Sequence, residues 1–158
     1  EAYTLSIILK EMIHDYKRWN LDIQATDVNR DVLEHAKKGF YSERSIKETP
    51  VPYRDKYFIQ QGVQWKIQNH SEESIKFFQL NFVDRQAMRN MRGFDFIFCR
   101  NVLIYFDEES RKQVVNSLYD SLMPGGYLFL GHSESIGRIT AAFELQNFNG
   151  FLCYRRPL

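Results

Sequence analysis

The sequence predicts an α/β fold with a doubly wound, mainly parallel sheet that closes with an antiparallel hairpin. Strands and helices alternate between residues 21 and 131, which is typical of a parallel sheet whose strands are joined by crossover helices. Two apolar segments, residues 143–147 and 150–154, then follow each other across a short turn, as the two strands of a hairpin do. The 158 residues are enough for one domain with a buried core.

The first half of the chain contains two clear helices and one clear strand. Apolar residues recur at helical spacing in residues 3–16, and Gly39 is a typical helix stop after residues 28–38. Pro50 and Pro52 indicate an irregular segment. The predicted elements are a helix over 3–16, a strand over 21–27, a helix over 28–38, an irregular segment over 40–55, a small hairpin insertion over about 56–70 with strands 57–60 and 63–67, and a polar turn over 69–73.

The second half is predicted to hold most of the sheet. Its longest helix has an apolar stripe that includes Val114, Val115 and Leu118. The predicted elements are a strand over 75–82, a short helical connection over 84–90, a buried strand over 94–99, a helix over 108–122, a turn over 124–126, a buried strand over 127–131, a mixed segment over 133–142 and the closing hairpin.

This order is similar to the class I methyltransferase fold, a Rossmann-like sheet in which a hairpin follows the parallel strands. A helix that starts almost at residue 1 has no strand from which to cross over, so we expect the first strand of the sheet and its turn to be missing. We interpret residues 1–158 as one catalytic domain of this type, truncated at its N-terminal side.

Composition excludes several classes of protein. A formal net charge of +1 argues against a nucleic-acid-binding surface. Cys99 and Cys153 fit no metal or redox spacing and favour a reducing cytoplasm, and the four scattered histidines predict no metal site. No apolar run is long enough to insert into a membrane.

Three strand ends carry candidate ligand-binding residues, because ligands of open α/β sheets bind outside the carboxyl ends of the strands. Asp27 ends the first strand, where a carboxylate could accept hydrogen bonds from both ribose hydroxyls or could simply cap the next helix. Asn81 and Phe82 end the strand over 75–82, where they could flank an adenine or belong to the core.

The third strand end is the most informative one. The buried strand over 94–99 leads into Arg100, whose planar guanidinium could pair with a carboxylate, and Tyr105 follows on a short turn. The alternative is an arginine solvated at a strand end and a tyrosine packed under the helix. His132, Ser133 and Glu134 are neighbours in sequence, but no nucleophile elbow accompanies them, so we do not expect a hydrolase.

Several motifs in a common order resemble the CheR family of chemoreceptor protein-glutamate O-methyltransferases. The resemblance covers essentially the whole chain, and its two longest motifs are the most specific. The matching segments are residues 1–6 (EAYTLS), 25–29 (ATDVN), 36–41 (AKKGFY), 94–106 (FDFIFCRNVLIYF) and 124–134 (PGGYLFLGHSE).

The resemblance implies S-adenosylmethionine as cofactor, S-adenosylhomocysteine as product and the cytoplasmic helices of methyl-accepting chemoreceptors as partners. It implies that Asp27 binds the ribose, that Asn81 and Phe82 lie by the adenine, and that Cys99 and Arg100 line the methionine side of the cleft. The same resemblance places Arg100 and Tyr105 nearest the reacting groups. It relates the hairpin around Gly62 to a β-subdomain that docks a receptor tail in some members, although here the hairpin is short.

Other functions remain open from the sequence. The chain could methylate another acceptor, or it could be a non-catalytic module that binds the cofactor or a partner as a signal. A nicotinamide dehydrogenase shares the acid at a strand end, but the closing hairpin and the run CRNV at residues 99–102 argue against it.

Overall fold

The computed structural model describes residues 1–68 and 75–158, and the chain divides into two units, Glu1–Leu80 and Asn81–Leu158. The polar turn predicted over 69–73 and the last residues of the predicted insertion lie outside the described residues. Each unit is an α/β arrangement, as predicted. None of the helices in the described part of the chain is long and apolar enough to cross a membrane.

The first unit contains one parallel and one antiparallel sheet. Strands β1 and β5 form the parallel pair, in which Asp27 lies opposite Gln79, and the order of the antiparallel sheet is β2-β4-β3. The elements are α1 (Ala2–Met12), a 3-10 turn (Tyr16–Arg18), β1 (Ile23–Asp27), α2 (Arg30–Lys38), β2 (Phe40–Ser42), α3 (Glu43–Ile46), α4 (Val51–Tyr57), β3 (Phe58–Gln61), β4 (Gln64–Ile67) and β5 (Ile75–Gln79).

Helix α2 has clear start and stop signals in the sequence. The Asn29 side chain accepts hydrogen bonds from the backbone N–H groups of Asp31 and Val32, which makes Asn29 the N-cap. Gly39 ends the helix in the left-handed region, with φ of 64°, which glycine adopts without steric cost. The predicted stop at Gly39 is confirmed, and the predicted start at residue 28 is two residues early.

The prediction of an irregular segment over 40–55 is wrong. The segment contains β2, α3 and most of α4, and β2 pairs with β4 to extend the predicted hairpin to three strands. Pro50 is the N-cap of α4 and Pro52 lies in its first turn, where the missing N–H of proline has no helical partner to lose. The two prolines therefore start a helix here and do not prevent one.

The core of the first unit joins the two sheets to helices α1, α3 and α4. Its most buried member is Ile67 of β4, whose side chain is fully covered. The buried residues of this cluster are Tyr3, Ile7, Ile46, Tyr57, Phe58, Ile67 and Ile75. Tyr3 also donates a hydrogen bond to the carbonyl of Ala36, which ties α1 to α2.

The second unit is built on a four-stranded sheet of order β6-β7-β9-β8. Strands β6 and β7 are parallel, whereas β9 pairs antiparallel with both β7 and β8, so the predicted closing hairpin is confirmed. The elements are α5 (Arg85–Arg89), β6 (Phe94–Cys99), a 3-10 turn (Leu103–Tyr105), α6 (Glu108–Ser121), β7 (Leu122–Leu130), β8 (Glu144–Phe148) and β9 (Phe151–Arg155).

The predicted turn over 124–126 is an irregularity inside strand β7. The β6–β7 register passes from Phe94–Leu122 to Phe96–Tyr127, so the intervening residues of β7 leave the ladder. Gly125 has a positive φ of 81°, and its N–H still donates to the Arg156 carbonyl. The segment therefore changes direction, as a turn does, while it stays bonded to the chain after β9.

The core of the second unit lies between α6 and its sheet. Helix α6 begins at its N-cap Asp107, whose carboxylate accepts the N–H of Ser110, and this hydrogen bond holds the pKa of Asp107 below its ordinary value. The predicted apolar stripe of α6 is buried. The most buried residues of the unit are Cys99, Val114, Val115, Ser121, Leu122, Leu128, Ile136 and Cys153.

Candidate functional site

Asp27 occupies the last position of β1, where its side chain is half-buried. Oδ1 accepts the backbone N–H of Asn29 at 2.8 Å, and the Asp27 carbonyl accepts the N–H of Leu80 at 3.1 Å. Among the described residues, no hydrogen bond to Oδ2 is present. The hydrogen bond to Oδ1 therefore orients the side chain, while Oδ2 keeps its capacity to accept hydrogen bonds.

The interpretation of Asp27 as the cap of the following helix is wrong, because Asn29 is the N-cap of α2. The chain around Asp27 is instead held by Gln79 of the neighbouring strand. The Gln79 amide donates to the Val28 carbonyl at 2.8 Å and accepts from Arg30 Nε at 2.9 Å. These bonds fix the segment that leaves β1, while the apolar Val28 side chain stays 60% exposed beside the carboxylate.

The predicted strand over 75–82 ends at Gln79, so Asn81 and Phe82 do not end the strand but follow it in a tight turn. Asn81 Oδ1 accepts the N–H of Val83 at 3.2 Å, and its carbonyl accepts the N–H of Asp84 at 3.0 Å. Because the side-chain oxygen has this partner, the amide NH₂ of Asn81 is the part that can contact a ligand. Phe82 is half-buried.

Cys99 and Arg100 sit at the end of β6 with opposite exposures. Cys99 is only 2% exposed, whereas Arg100 is exposed. Tyr105 ends the 3-10 turn that follows and is 81% exposed, so it is not packed under the helix. Arg111 of α6 stabilises this turn, because its guanidinium donates hydrogen bonds to the carbonyls of Leu103 and Phe106 at 3.1 and 2.9 Å.

Glu134 is the residue that the sequence interpretation missed. Its Oε2 accepts the N–H groups of Asn101 and Gly131 at 2.7 and 2.8 Å, and its Oε1 accepts those of Val102 and Leu103 at 3.0 and 2.8 Å. Both oxygens of one carboxylate are thus engaged by four backbone donors. These are charge-assisted bonds, the strong class of protein hydrogen bond.

Two backbone features allow the Glu134 contacts. Asn101 has φ of 57°, a left-handed conformation that asparagine tolerates better than most residues and that helps three successive N–H groups to converge. Gly131 lies so close that a Cβ atom there would be 2.7 Å from Oε2 of Glu134 and 3.0 Å from the Asn101 nitrogen. A side chain at position 131 would therefore displace the Glu134 carboxylate from these contacts.

Two sequence signals for Glu134 were available, its position three residues after a glycine at a strand end and its place as the last residue of the matched segment 124–134. The sequence interpretation gave it no role beyond a triad with His132 and Ser133, which no nucleophile elbow supported. The structure agrees that it is no triad member, because both of its oxygens are bonded to backbone N–H groups. Asp27 lies in the first unit, and the other candidate site residues belong to the second.

Comparison with solved structures defines the class of fold. The N-methyltransferase NodS from Bradyrhizobium japonicum WM9, solved with S-adenosyl-L-homocysteine, superposes with a TM-score of 0.51 at 15% identity and covers 87% of this chain and 67% of its own. LepI, solved in complex with SAM, gives a TM-score of 0.51 at 12% identity over 98% of this chain and 39% of its own. The fold is that of the class I S-adenosylmethionine-dependent methyltransferases.

The family is defined more narrowly by sequence. The model of the family "CheR methyltransferase, SAM binding domain" matches residues 1–151. The chain belongs to this family, and S-adenosylmethionine is the cofactor of its domain.

Curated relatives agree with this family. "Chemotaxis protein methyltransferase 2" of Vibrio cholerae is 36% identical over 158 residues, which is 99% of this chain and 55% of that protein. "Chemotaxis protein methyltransferase" of Borreliella burgdorferi is 37% identical over 138 residues, which is 86% of this chain and 48% of that protein. The chain thus spans about half the length of these curated relatives.

Proposed function

We propose that this chain is the catalytic domain of a protein-glutamate O-methyltransferase that forms methyl esters on the cytoplasmic helices of chemoreceptors. The observation that carries the proposal is the alignment of 99% of the chain with a chemotaxis protein methyltransferase. Polar side chains at strand ends in each unit support it, since folds of this class bind ligands outside the carboxyl ends of their strands. The net charge of +1 favours a protein acceptor over a nucleic acid.

The residues at the strand ends fit the cofactor. S-adenosylmethionine supplies, when bound, an electrophilic methyl group on a positively charged sulfur. We propose that Asp27 accepts hydrogen bonds from its ribose hydroxyls, because the Asp27 carboxylate is oriented through Oδ1. Asn81 and Phe82 would lie by the adenine, and the backbone at Cys99 together with Arg100 would line the methionine side.

We further propose that Arg100 and Tyr105 are the catalytic residues that orient the acceptor. A glutamate side chain has a pKa of about 4.3, so at neutral pH it is already ionised and no residue has to remove a proton from it. The protein then has to place the acceptor carboxylate next to the methyl group of the cofactor and to exclude water from it. An exposed guanidinium and an exposed phenol can each hold one carboxylate oxygen.

The domain boundaries and the cellular site are part of the same proposal. Among the described residues β1 pairs only with β5, and β6 pairs with β7 alone, so each has an edge at which a further parallel strand could add. We propose that residues 1–158 act within a longer cytoplasmic protein that supplies such a strand. Two buried cysteines, neither of which forms a disulfide, are in keeping with a reducing compartment.

The test is methyl transfer from labelled S-adenosylmethionine to a receptor cytoplasmic fragment, catalysed by the full-length protein. We expect label that base releases as methanol, with transfer strongly reduced in Arg100→Ala and Tyr105→Phe. Tyr53→Phe, which changes an exposed tyrosine of the first unit, is the matched control and should keep the wild-type rate.

Two results would contradict this function, and a third would contradict the roles proposed for Arg100 and Tyr105. Base-stable label would show another acceptor, and absence of cofactor binding would show a non-catalytic module. Wild-type rates in both variants would remove Arg100 and Tyr105 from the mechanism.

A further inference from the structure

The turn that carries Tyr105 is held from two opposite sides by charged side chains. On its N-terminal side the Glu134 carboxylate accepts the N–H groups of residues 101–103. On its C-terminal side Arg111 donates to two carbonyls, those of Leu103 and Phe106. The Glu134 carboxylate thus accepts the N–H groups at the start of the segment, and the Arg111 guanidinium donates to carbonyls at its end. Both ends of this short segment are therefore fixed by charge-assisted hydrogen bonds.

Glu134 can act as a support because its own backbone is held in place. Its N–H donates to the Gly131 carbonyl at 3.0 Å, which closes a turn directly after β7. On the other side, Tyr154 of β9 accepts the N–H of Ile136 through its hydroxyl at 3.3 Å, and the Ile136 side chain is fully buried. The carboxylate therefore extends from a fixed loop toward the end of β6.

Tyr105 depends on this support more than a buried residue would. Its side chain is 81% exposed, so few contacts of its own restrict the phenol, and the backbone of the turn determines where the hydroxyl lies. We propose that Glu134 is a positioning residue for Tyr105, acting through the backbone of residues 101–103. This proposal rests on the proposed function, in which Tyr105 orients the acceptor.

The converging N–H groups of residues 101–103 also resemble an anion-binding site, but the chain fills that site itself. Both oxygens of Glu134 occupy it, at distances of 2.7–3.0 Å. An internal carboxylate stays in place when substrate leaves, so it keeps the turn ordered throughout the reaction cycle. The geometry thus indicates that Glu134 preorganises the turn, whereas Tyr105 is the residue that contacts the substrate.

The first test measures the turn directly, by amide hydrogen exchange of the full-length protein. In Glu134→Gln the side chain keeps its shape, but an NH₂ group replaces one accepting oxygen. We expect faster exchange at the amides of 101–103 and 131, with unchanged protection in the middle of α6. Glu109→Gln, an exposed acid in the first turn of α6, is the control and should leave all of these rates unchanged.

The second test measures the consequence for the reaction. A misplacement of about 1 Å can cost on the order of 100-fold in rate, so we expect kcat of Glu134→Gln to fall roughly 10- to 100-fold. The dissociation constant of S-adenosylhomocysteine should change less than about threefold, since the turn is proposed to serve the acceptor. In a Tyr105→Phe background, Glu134→Gln should lower kcat little further. Both substitutions then act on the same function, the orientation of the acceptor by Tyr105.

Each outcome decides the proposal. Unchanged exchange at 101–103 in Glu134→Gln would overturn it, and so would kcat losses that multiply in the double variant. Equal losses of protection in the turn and in α6 would show a general structural role and would also overturn it. If the wild-type protein transfers no methyl group to glutamate, the proposed function fails, and the exchange rates still decide whether Glu134 holds the turn.

Discussion

Gly131 and Glu134 are joined by two hydrogen bonds that run in opposite directions. The backbone N–H of Glu134 donates to the Gly131 carbonyl at 3.0 Å, and the N–H of Gly131 donates to Oε2 of Glu134 at 2.8 Å. This reciprocal pair brings the carboxylate to the end of β7. It leaves no room for a side chain on residue 131, because an added Cβ would be 2.7 Å from Oε2.

We therefore expect Gly131→Ala to destabilise the second unit by about 1–3 kcal/mol, the usual cost of adding an atom to a packed site. The φ of Gly131 is not positive, so the effect is steric and involves no backbone strain. Both tryptophans, Trp19 and Trp65, lie in the first unit, so the probes for this variant are chosen within the second unit. The measurement is amide exchange of α6 and of residues 101–103.

Gly137→Ala is the matched control for this prediction. Gly137 also has no positive φ, and a Cβ there would meet only the Ser135 hydroxyl at 3.9 Å, an ordinary contact. We expect this variant to match the wild type. Equal effects of the two substitutions, or no effect of either, would show that space at Gly131 is not limiting.

The Asp27 carboxylate yields a second prediction, on cofactor affinity. Asp27→Asn keeps an oxygen that can accept the Asn29 N–H, so the local turn is preserved while the charge and one acceptor are lost. Hydrogen bonds to charged groups contribute about 1.5–3 kcal/mol. We expect S-adenosylhomocysteine to bind roughly 10- to 150-fold more weakly, as measured by calorimetry on the full-length protein.

Asp84→Asn provides the same chemical change at a position with a structural role. Asp84 caps α5 by accepting the N–H groups of Gln86 and Ala87, and asparagine serves equally well as an N-cap. Its affinity for S-adenosylhomocysteine should equal that of the wild type. Undiminished affinity in Asp27→Asn would refute the assignment of Asp27 to the ribose.

Much of the fold was predictable because the periodicity of apolar residues and the residues that end helices are local features of the sequence. The bounds of the strand over 94–99 match β6, and Gly39 marks the end of α2. The predicted burial of that strand is wrong, because Phe96 and Phe98 are 55% and 41% exposed. The three-stranded sheet was not predictable in the same way. Strand β2 has three residues, and it exists because Phe40–Lys66 and Ser42–Gln64 pair across more than twenty residues of chain.

The candidate site shows the same division between local and distant information. Asp27 and Arg100 could be proposed because a polar residue at the end of a buried strand is visible in the sequence. Glu134 could not, since its partners at 101–103 are more than thirty residues away and are backbone groups, which every residue has. A sequence pattern cannot show which of many carboxylates a distant loop will bind.

The two cysteines provide a third prediction, on chemical reactivity. Cys99 and Cys153 are 2% and 1% exposed, and burial raises the pKa of the Cys153 thiol above its ordinary value. A covered, protonated thiol is a poor nucleophile. We expect iodoacetamide to modify neither residue in the folded protein and both in urea, so that labelling measures the opening of the second unit.

Lys112→Cys is the control for reagent access. Lys112 lies on the exposed face of α6, so the introduced thiol should react at once in the folded protein while the two native thiols stay unmodified. Mass spectrometry of peptides assigns the modified position. Rapid labelling of Cys99 or Cys153 without denaturant would contradict the burial of these side chains.

The last prediction concerns the pH dependence of stability in the first unit. Glu11 accepts hydrogen bonds from Lys56 and from the Tyr57 hydroxyl. The hydrogen bond from Lys56 lowers the pKa of Glu11 most, and the hydrogen bond from Tyr57 lowers it further. The hydrogen bond between Lys56 and Glu11 also raises the pKa of Lys56. A carboxylate with a lowered pKa in the folded state stabilises that state above its unfolded pKa of about 4.3.

The sign of the effect follows from this linkage. As pH falls through the folded pKa of Glu11, the carboxylate is protonated and its contribution to stability is lost. Glu11→Gln should therefore lower the urea midpoint at pH 7 and leave it unchanged near pH 2, with tryptophan fluorescence as the measurement because both tryptophans lie in this unit. Glu48→Gln, which changes an exposed glutamate of the same unit, should follow the wild type at both values. A midpoint difference for Glu11→Gln that is as large in acid as at neutrality would show that Glu11 does not act through its charge.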